Sequence, residues 1–492
     1  MMETLGSESN SNLNYPELIQ GGMGVGVSSW ELARAVAIAG EKLDKRVLGV
    51  VSGTGLPIMM INRLQKNDQN TINALNEFDP IIAGEILDEY LPDGKKLTER
   101  RYKLSPKPEV LITGSQAIKD KMNKIAVAAA FVEVWLAKQG HSGPIGINVL
   151  EKVQLMHLPT ILGAMMAGVD TVLVGAGIPN QIPGVLEKFS KRQPVSYKLD
   201  IQGSREKITM TLDPKQFTAE ETELKRPKFY AIVSHHALAM RLNSTVEVDG
   251  FVVEGPTAGG HNAPARNKEV DDERQPIYGE RDKPNLETIM KLGKPYWLAG
   301  SYTRKLREAQ NYGAAGVQVG SAFALSKESG LTEEAKRLMR EKINREELNV
   351  LTSVVASPTG FPIQLAQIEG TLTEENIYKE RKRVCSLGYL VEARKNEDGK
   401  LEFLCPAEPE KAYVRKGGSI EDTKERVCLC NGLATAAGHG QIDEPRIFTL
   451  GKDLDPIEEL ISKNPDGYTA ENVVGFVFSK AEQSGFSVEI EN

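Results

Sequence analysis

The chain lacks long apolar runs, dense basic clusters and any apolar leader segment. No stretch approaches the roughly 20 apolar residues that a membrane-spanning helix needs, so we expect no membrane partner. The 60 Lys and Arg residues are outnumbered by 67 Asp and Glu, and they form no dense basic run, which argues against a nucleic-acid partner. Residues 1–14 are polar and lack the basic end and apolar core of a signal peptide. We therefore expect a disordered N-terminal tail on a cytoplasmic protein.

Cysteine is scarce as well. The only four lie in the last quarter of the chain, at Cys385, Cys405, Cys428 and Cys430. In a large chain without a secretory signal, such clustering favours a metal site over disulfides. Four thiolates suit either Zn²⁺ or an iron–sulfur cluster, and the spacing does not separate the two. The alternative is four reduced thiols that behave as small apolar residues.

The chain does contain a regular alternation of short apolar, β-branched runs with longer helical patterns. This alternation is typical of parallel strands buried on both faces by crossover helices. Eight such strands predict a closed (β/α)8 TIM barrel, with a doubly wound open sheet as the alternative. The predicted strands are Leu18–Gly22, Val47–Ser52, Ile145–Val149, Thr171–Gly175, Phe229–Ser234, Gly250–Glu254, Tyr296–Gly300 and Val317–Ser321.

Two insertions and an extension decorate this pattern. A mostly helical insertion occupies residues 57–140, and a second occupies residues 195–225, where alternating residues on both sides of Gln202 to Ser204 predict a hairpin. The βα rhythm stops after Ser353. We therefore predict a barrel over residues 15–360 and a cysteine-containing α+β extension over residues 361–492.

Distinctive peptides follow several predicted strands, at the end of a barrel where function is found. Glycines allow a ligand to approach the backbone closely, although a plain tight turn would use them too. A buried amide at Asn148 must find partners, in a ligand or in a neighbouring loop. Gly and Ser after the last two strands suit a phosphate group. The candidate binding residues are Gly22, Met23, Gly24, Asn148, Gly260, Gly300, Ser301, Gln318, Gly320 and Ser321.

Two histidine positions also follow strands. His261 stands directly behind Gly259 and Gly260, and we interpret it as the catalytic residue. Its unperturbed pKa near 6.5 would let the imidazole act as base, hydrogen-bond donor or positive charge. His235 precedes a predicted helix, and we keep it only as a substrate contact beside the simpler interpretation of a solvated turn.

Together these peptides resemble the nitronate monooxygenase family, formerly called 2-nitropropane dioxygenases, over about residues 15–330. The most specific part is Ala258-Gly259-Gly260-His261. The resemblance implies a TIM barrel with non-covalent FMN, in which His261 matches the catalytic histidine. It also implies that Asn148, Gly300 and residues 318–321 match flavin-binding positions. The chain departs from the family at Ala263 and Ser301, where the family usually has glycine.

The sequence leaves three hypotheses about function. The first is an FMN-dependent oxidoreductase that oxidises nitronates or nitroalkanes with O2. The second is an NAD(P)H-dependent flavin enoyl or quinone reductase of the same fold, although no G-x-G-x-x-G unit follows a strand. The third is a flavin- or metal-bearing binding protein whose extension docks a partner. A homodimer remains open in all three.

Overall fold

The computed structural model describes residues 15–91, 102–218, 223–440 and 445–483, and it contains a closed barrel of eight parallel strands. Each strand lies beside its neighbours in chain order, and the first strand closes the barrel against the last. The predicted (β/α)8 barrel is therefore confirmed, and the open sheet is excluded. The barrel strands are β1 (Leu18–Gln20), β2 (Val47–Ser52), β3 (Ile145–Leu150), β4 (Thr171–Gly175), β5 (Lys228–Val233), β6 (Gly250–Glu254), β7 (Tyr296–Ala299) and β8 (Gly316–Val319).

Large side chains fill the interior of the barrel below its mouth. Trp297 is fully buried there, and its ring lies 4.5 Å from the Tyr230 ring, centroid to centroid. Val252 belongs to the same inner cluster. Because side chains alternate along a strand, Glu254 points to the same side as Val252, two residues nearer the mouth. Space for a ligand therefore lies above this layer, at the carboxyl ends of the strands.

Helices surround the barrel on the outside. Between the strands lie Trp30–Leu43, Gln116–Ala137, His157–Met166, Ile182–Ser190, His236–Thr245, Leu286–Met290 and Leu306–Asn311. After β8 come Ser321–Ala324 and Glu333–Asn344. The last described helix, Ala470–Gln483, packs against Trp30–Leu43 and Leu306–Asn311. The C-terminal end of the described chain thus returns to the outer layer of the barrel.

The first insertion is helical, as its sequence pattern predicts. Its helices are Leu56–Gln65, Gln69–Phe78, Pro80–Tyr90 and Val110–Thr113. Asp68 and Asp79 cap the second and third by accepting hydrogen bonds from backbone N–H groups of the first turn. Residues 92–101 of this insertion, and the predicted tail of residues 1–14, lie outside the described residues.

The second insertion forms the expected hairpin, Val195–Gln202 paired antiparallel with Lys207–Leu212. The C-terminal strand Glu392–Lys395 adds to it in parallel, and Leu401–Leu404 follows as the outer strand. Short 3₁₀ turns occur at Gln154–Met156, Pro214–Gln216, Glu280–Asp282 and Ile420–Thr423.

A smaller sheet joins the C-terminal part to the mouth of the barrel. Gly260–His261 pairs antiparallel with Ile363–Ala366, which in turn pairs with Val350–Ser353. Within the described part of the chain, no helix has the length and apolar character needed to cross a membrane. The remaining C-terminal helices are Glu375–Glu380, Glu410–Arg415, Leu429–Ala436 and Asp455–Lys463.

Candidate active site

One cavity of about 240 Å³ lies at the carboxyl ends of the barrel strands. It brings together all eleven barrel residues that the sequence singles out, although they come from five different strand ends. These residues are Gly22, Met23, Gly24, Asn148, Gly260, His261, Gly300, Ser301, Gln318, Gly320 and Ser321. The cavity is therefore the candidate site for a cofactor and a substrate.

The glycine-rich loop after β1 is held in place by Ser28. The Ser28 hydroxyl donates to the carbonyl of Gly21 at 2.8 Å and accepts the N–H of Met23 at 2.9 Å. A Cβ atom on Gly22 would lie only 2.2 Å from the Cβ of Asn148, so this position requires glycine. The loop and the end of β3 can therefore approach each other closely.

Asn148 fulfils one of the two roles that its sequence position leaves open. Its Nδ2 donates to the carbonyl of Gly22 at 2.8 Å, which ties the loop down. Its Oδ1, however, is buried without a hydrogen-bond partner among the described residues, and so is Oε1 of Gln318. Unpartnered buried acceptors are costly, so both oxygens suit a ligand that presents N–H or O–H donors.

The loops after β7 and β8 supply the glycines and serines expected of a phosphate site. Gly300 and Ser301 both line the cavity, and both have positive φ, at 84° and 61°. The Ser301 hydroxyl donates to Oγ1 of Thr257 at 2.9 Å, and the Ser321 hydroxyl accepts the N–H of Gly451 at 2.7 Å. These hydroxyls therefore fix the loops, and backbone N–H groups remain the natural donors to an anion.

His261 is anchored by pairing with Ile363 and by a 2.7 Å hydrogen bond between its Nε2 and the hydroxyl of Ser357. Burial, helped by the nearby charge of Lys152, lowers the pKa of His261 to about 4. The imidazole is thus neutral at pH 7. It can accept or donate a hydrogen bond, and burial disfavours the positive charge that the sequence allowed.

Glu254 is a cavity residue that the sequence analysis did not select. It ends β6 and lines the cavity, and no hydrogen bond to its carboxyl group is found among the described residues. Burial raises its pKa to about 7. The signal was present in the strand periodicity, because an inward Val252 implies an inward Glu254. A group that titrates near neutral pH in a cavity can hold or release a proton.

The C-terminal part of the chain supplies another wall of the cavity. This tail wall consists of Tyr389, Leu390, Leu429, Cys430 and Leu433. A further stretch, Thr449 to Gly451, lies beside the loop after β6, since a Cβ on Gly259 would lie 2.9 Å from the N atom of Gly451. Cys430 was selected in the sequence only as a candidate metal ligand, and the other residues of this wall were not selected. Nothing local in the chain reports a contact with the distant barrel.

The cysteines do not support the predicted metal site. Within the described part of the chain, which includes all four, no three His, Cys, Asp or Glu side chains are arranged to hold a metal ion. Cys405 lies in the main hydrophobic core, Cys428 and Cys430 pack against it, and Cys430 is the one cysteine that lines the cavity. Burial raises the pKa of the Cys385 thiol and that of Cys430, the latter to about 12. Burial thus favours the protonated form of these thiols over the thiolate.

His235 also departs from its proposed role. It is not among the described residues that line the cavity; with His236, Arg266 and Arg281 it lines a shallow surface pocket. Its Nδ1 accepts the N–H of Ala237 at 3.1 Å and caps the helix His236–Thr245. This is the solvated helix entry that the sequence offered as the simpler interpretation.

By sequence, no known protein family and no curated protein matches the chain. Among solved structures, FabK from Thermotoga maritima is 14% identical, with a TM-score of 0.45 over 96% of this chain and 94% of that chain. Nitroalkane oxidase from Streptomyces ansochromogenes is 12% identical, with a TM-score of 0.45 over 96% and 97%. The enoyl reductase domain of MlnA from Bacillus amyloliquefaciens is 13% identical, with a TM-score of 0.34 over 96% and 82%. At these low values the similarities carry no argument about function, which therefore depends on the cavity itself.

Proposed function

We propose that the protein is an FMN-dependent oxidoreductase that acts on nitroalkanes or their nitronates with O2. The observation that carries this proposal is the single cavity at the barrel mouth. It joins two unpartnered amide oxygens, the Gly/Ser loops after β7 and β8, and the neutral imidazole of His261. Barrels of this type place phosphate at those two loops.

The hydrogen-bond acceptors and donors that line the cavity fit FMN. Asn148 and Gln318 would accept hydrogen bonds from N–H and O–H groups of the flavin, which would satisfy Oδ1 and Oε1. Backbone N–H groups near Ser301 and Gly320 would hold the phosphate. Bound FMN would supply the two-electron redox chemistry that protein side chains lack.

The chain's own groups would manage protons and water. The Ser357 hydroxyl fixes the His261 ring through Nε2 at 2.7 Å, which leaves Nδ1 for a substrate. Because this hydroxyl can donate or accept, Nδ1 can serve as acceptor or donor in turn. Glu254 adds a second proton-holding group in the same cavity. The tail wall would exclude water from both.

A second candidate is an NAD(P)H-dependent enoyl or quinone reductase, and one observation favours it. No Lys or Arg is found among the described residues that line the cavity. An anionic nitronate would therefore contact no Lys or Arg side chain of the described cavity wall, whereas a neutral enone or quinone would need none.

The discriminating experiment is anaerobic reduction of the purified, flavin-loaded protein. Reduction by propyl-1-nitronate or 1-nitropropane, with NADPH and NADH inactive, is expected for the first function. Rapid reduction by NADPH or NADH, followed by reoxidation with cyclohex-2-enone or a quinone, would establish the second function instead. A protein that contains no flavin and does not bind added FMN would refute both.

A further inference from the structure

The tail wall contains one polar group in otherwise apolar surroundings. Tyr389 lines the cavity with only 4% of its surface exposed, and its hydroxyl is buried without a partner among the described residues. Its neighbours in the wall are Leu390, Leu429 and Leu433, which offer no side-chain acceptor, and Cys430, whose sulfur is only a weak acceptor. Burial also raises its pKa, so the phenol keeps its proton at neutral pH.

An unpartnered hydroxyl in such a place is costly to the folded protein. A buried donor without an acceptor forfeits its hydrogen bonds to water, while a Phe of the same shape would not. Elsewhere in the same cavity, Asn148 and Gln318 leave two acceptors unpartnered. Tyr389 instead leaves a hydrogen-bond donor unpartnered, and it belongs to the C-terminal part of the chain. The cavity therefore calls for ligand donors on the barrel side and a ligand acceptor on the tail side.

We propose that the Tyr389 hydroxyl is the donor that recognises an oxygen atom of the substrate. The substrate class is a small molecule with a nitro, nitronate or carbonyl oxygen next to an apolar substituent. The oxygen accepts the Tyr389 hydrogen bond, and the substituent contacts Leu390, Leu429 and Leu433. This inference rests on the proposed function, in which FMN occupies the barrel side of the cavity and substrate lies between it and the tail wall.

The test compares Tyr389→Phe with wild type and with Tyr378→Phe. The control removes another buried tyrosine hydroxyl from the C-terminal part of the chain, outside the cavity-lining residues. Binding of three probes is measured by titration calorimetry without turnover: 1-nitropropane, cyclohex-2-enone and the oxygen-free cyclohexene. We expect Tyr389→Phe to weaken the two oxygen-bearing probes at least about fivefold, the scale of one hydrogen bond, and to leave cyclohexene unchanged.

Two further measurements separate recognition of substrate from other roles. The Kd for FMN should be the same in wild type and Tyr389→Phe, and the Tm of the variant should be equal to or above that of wild type. A raised Kd for FMN would overturn the inference by assigning the hydroxyl to the flavin. A clear drop in Tm would overturn it by revealing a partner within the chain, and unchanged probe affinities would overturn it directly.

The proposed function can fail separately from this inference. A wild-type protein without flavin would refute the flavin function, yet calorimetry with the three probes would still report on Tyr389. Conversely, a flavin-loaded wild type whose probe affinities do not respond to Tyr389→Phe would refute only the role of Tyr389.

Discussion

Glu254→Gln should change the pH dependence of stability in a way that follows from the position of Glu254 in the cavity. The carboxyl group has a pKa near 4.5 in the unfolded chain, and burial raises it to about 7 in the folded protein. Below about pH 4.5 the carboxyl is protonated in both states, so its burial causes no pH-dependent loss in the free energy of unfolding. Between the two pKa values the Glu254 carboxyl ionises in the unfolded chain but stays protonated in the folded protein. The free energy of unfolding therefore falls as the pH rises. Above about pH 7 the loss is complete.

The magnitude follows from the size of this pKa difference. At roughly 1.36 kcal/mol per pKa unit, the loss amounts to about 3 kcal/mol. Unfolding entropy is roughly 2 cal/mol/K per residue, so for this chain the loss corresponds to about 3 °C in Tm. Glutamine keeps the shape and cannot ionise. The variant should therefore lie within about 1 °C of wild type at pH 5 and exceed its Tm by about 3 °C at pH 9.

Thermal unfolding of the two proteins, followed by circular dichroism from pH 5 to pH 9, measures this difference. Groups shared by both proteins cancel in the comparison. Glu397→Gln, a change at an exposed loop position, controls for the loss of one surface charge. A Tm difference that is constant with pH, or a variant that is less stable than wild type at pH 9, would show that Glu254 has an unrecognised partner.

Three further predictions concern the same cavity. Gly320→Asp should abolish FMN binding by placing a carboxylate where the phosphate would lie, whereas Gly279→Asp, at a glycine with free space around its Cβ, should keep the flavin spectrum. His261→Asn should retain flavin but lower kcat at least about 10²-fold, and normal turnover would make His261 structural. The pKa of Cys430 is raised to about 12, so its thiol should react slowly with iodoacetamide at pH 7.5, as followed by mass spectrometry. Rapid labelling would show that the thiol is ionised in solution.

The barrel and the position of its site follow from local patterns in the sequence. Each strand is a short apolar run between helical patterns, and this information is local, so all eight strands could be located. Because function in a closed parallel barrel lies at the carboxyl ends, the peptides after those strands had to meet. Gly22, Asn148 and His261 do lie around one cavity. The alternation of side chains along β6 also predicts that Glu254 points inward, because every second residue of a strand faces the same side.

The surroundings of those strand ends depend on long-range packing, which local sequence patterns do not report. The pKa of His261 depends on burial, and burial depends on segments that pair with its strand from residues far along the chain. The four cysteines are close in sequence, but burial raises the pKa of each thiol. Cys405 lies in the main hydrophobic core, and Cys428 and Cys430 pack against it. Tyr389 and its neighbours reach the cavity through the return of the C-terminal part to the barrel. Such long-range packing has no periodicity in the sequence, since it depends on the shapes of two surfaces that exist only after folding.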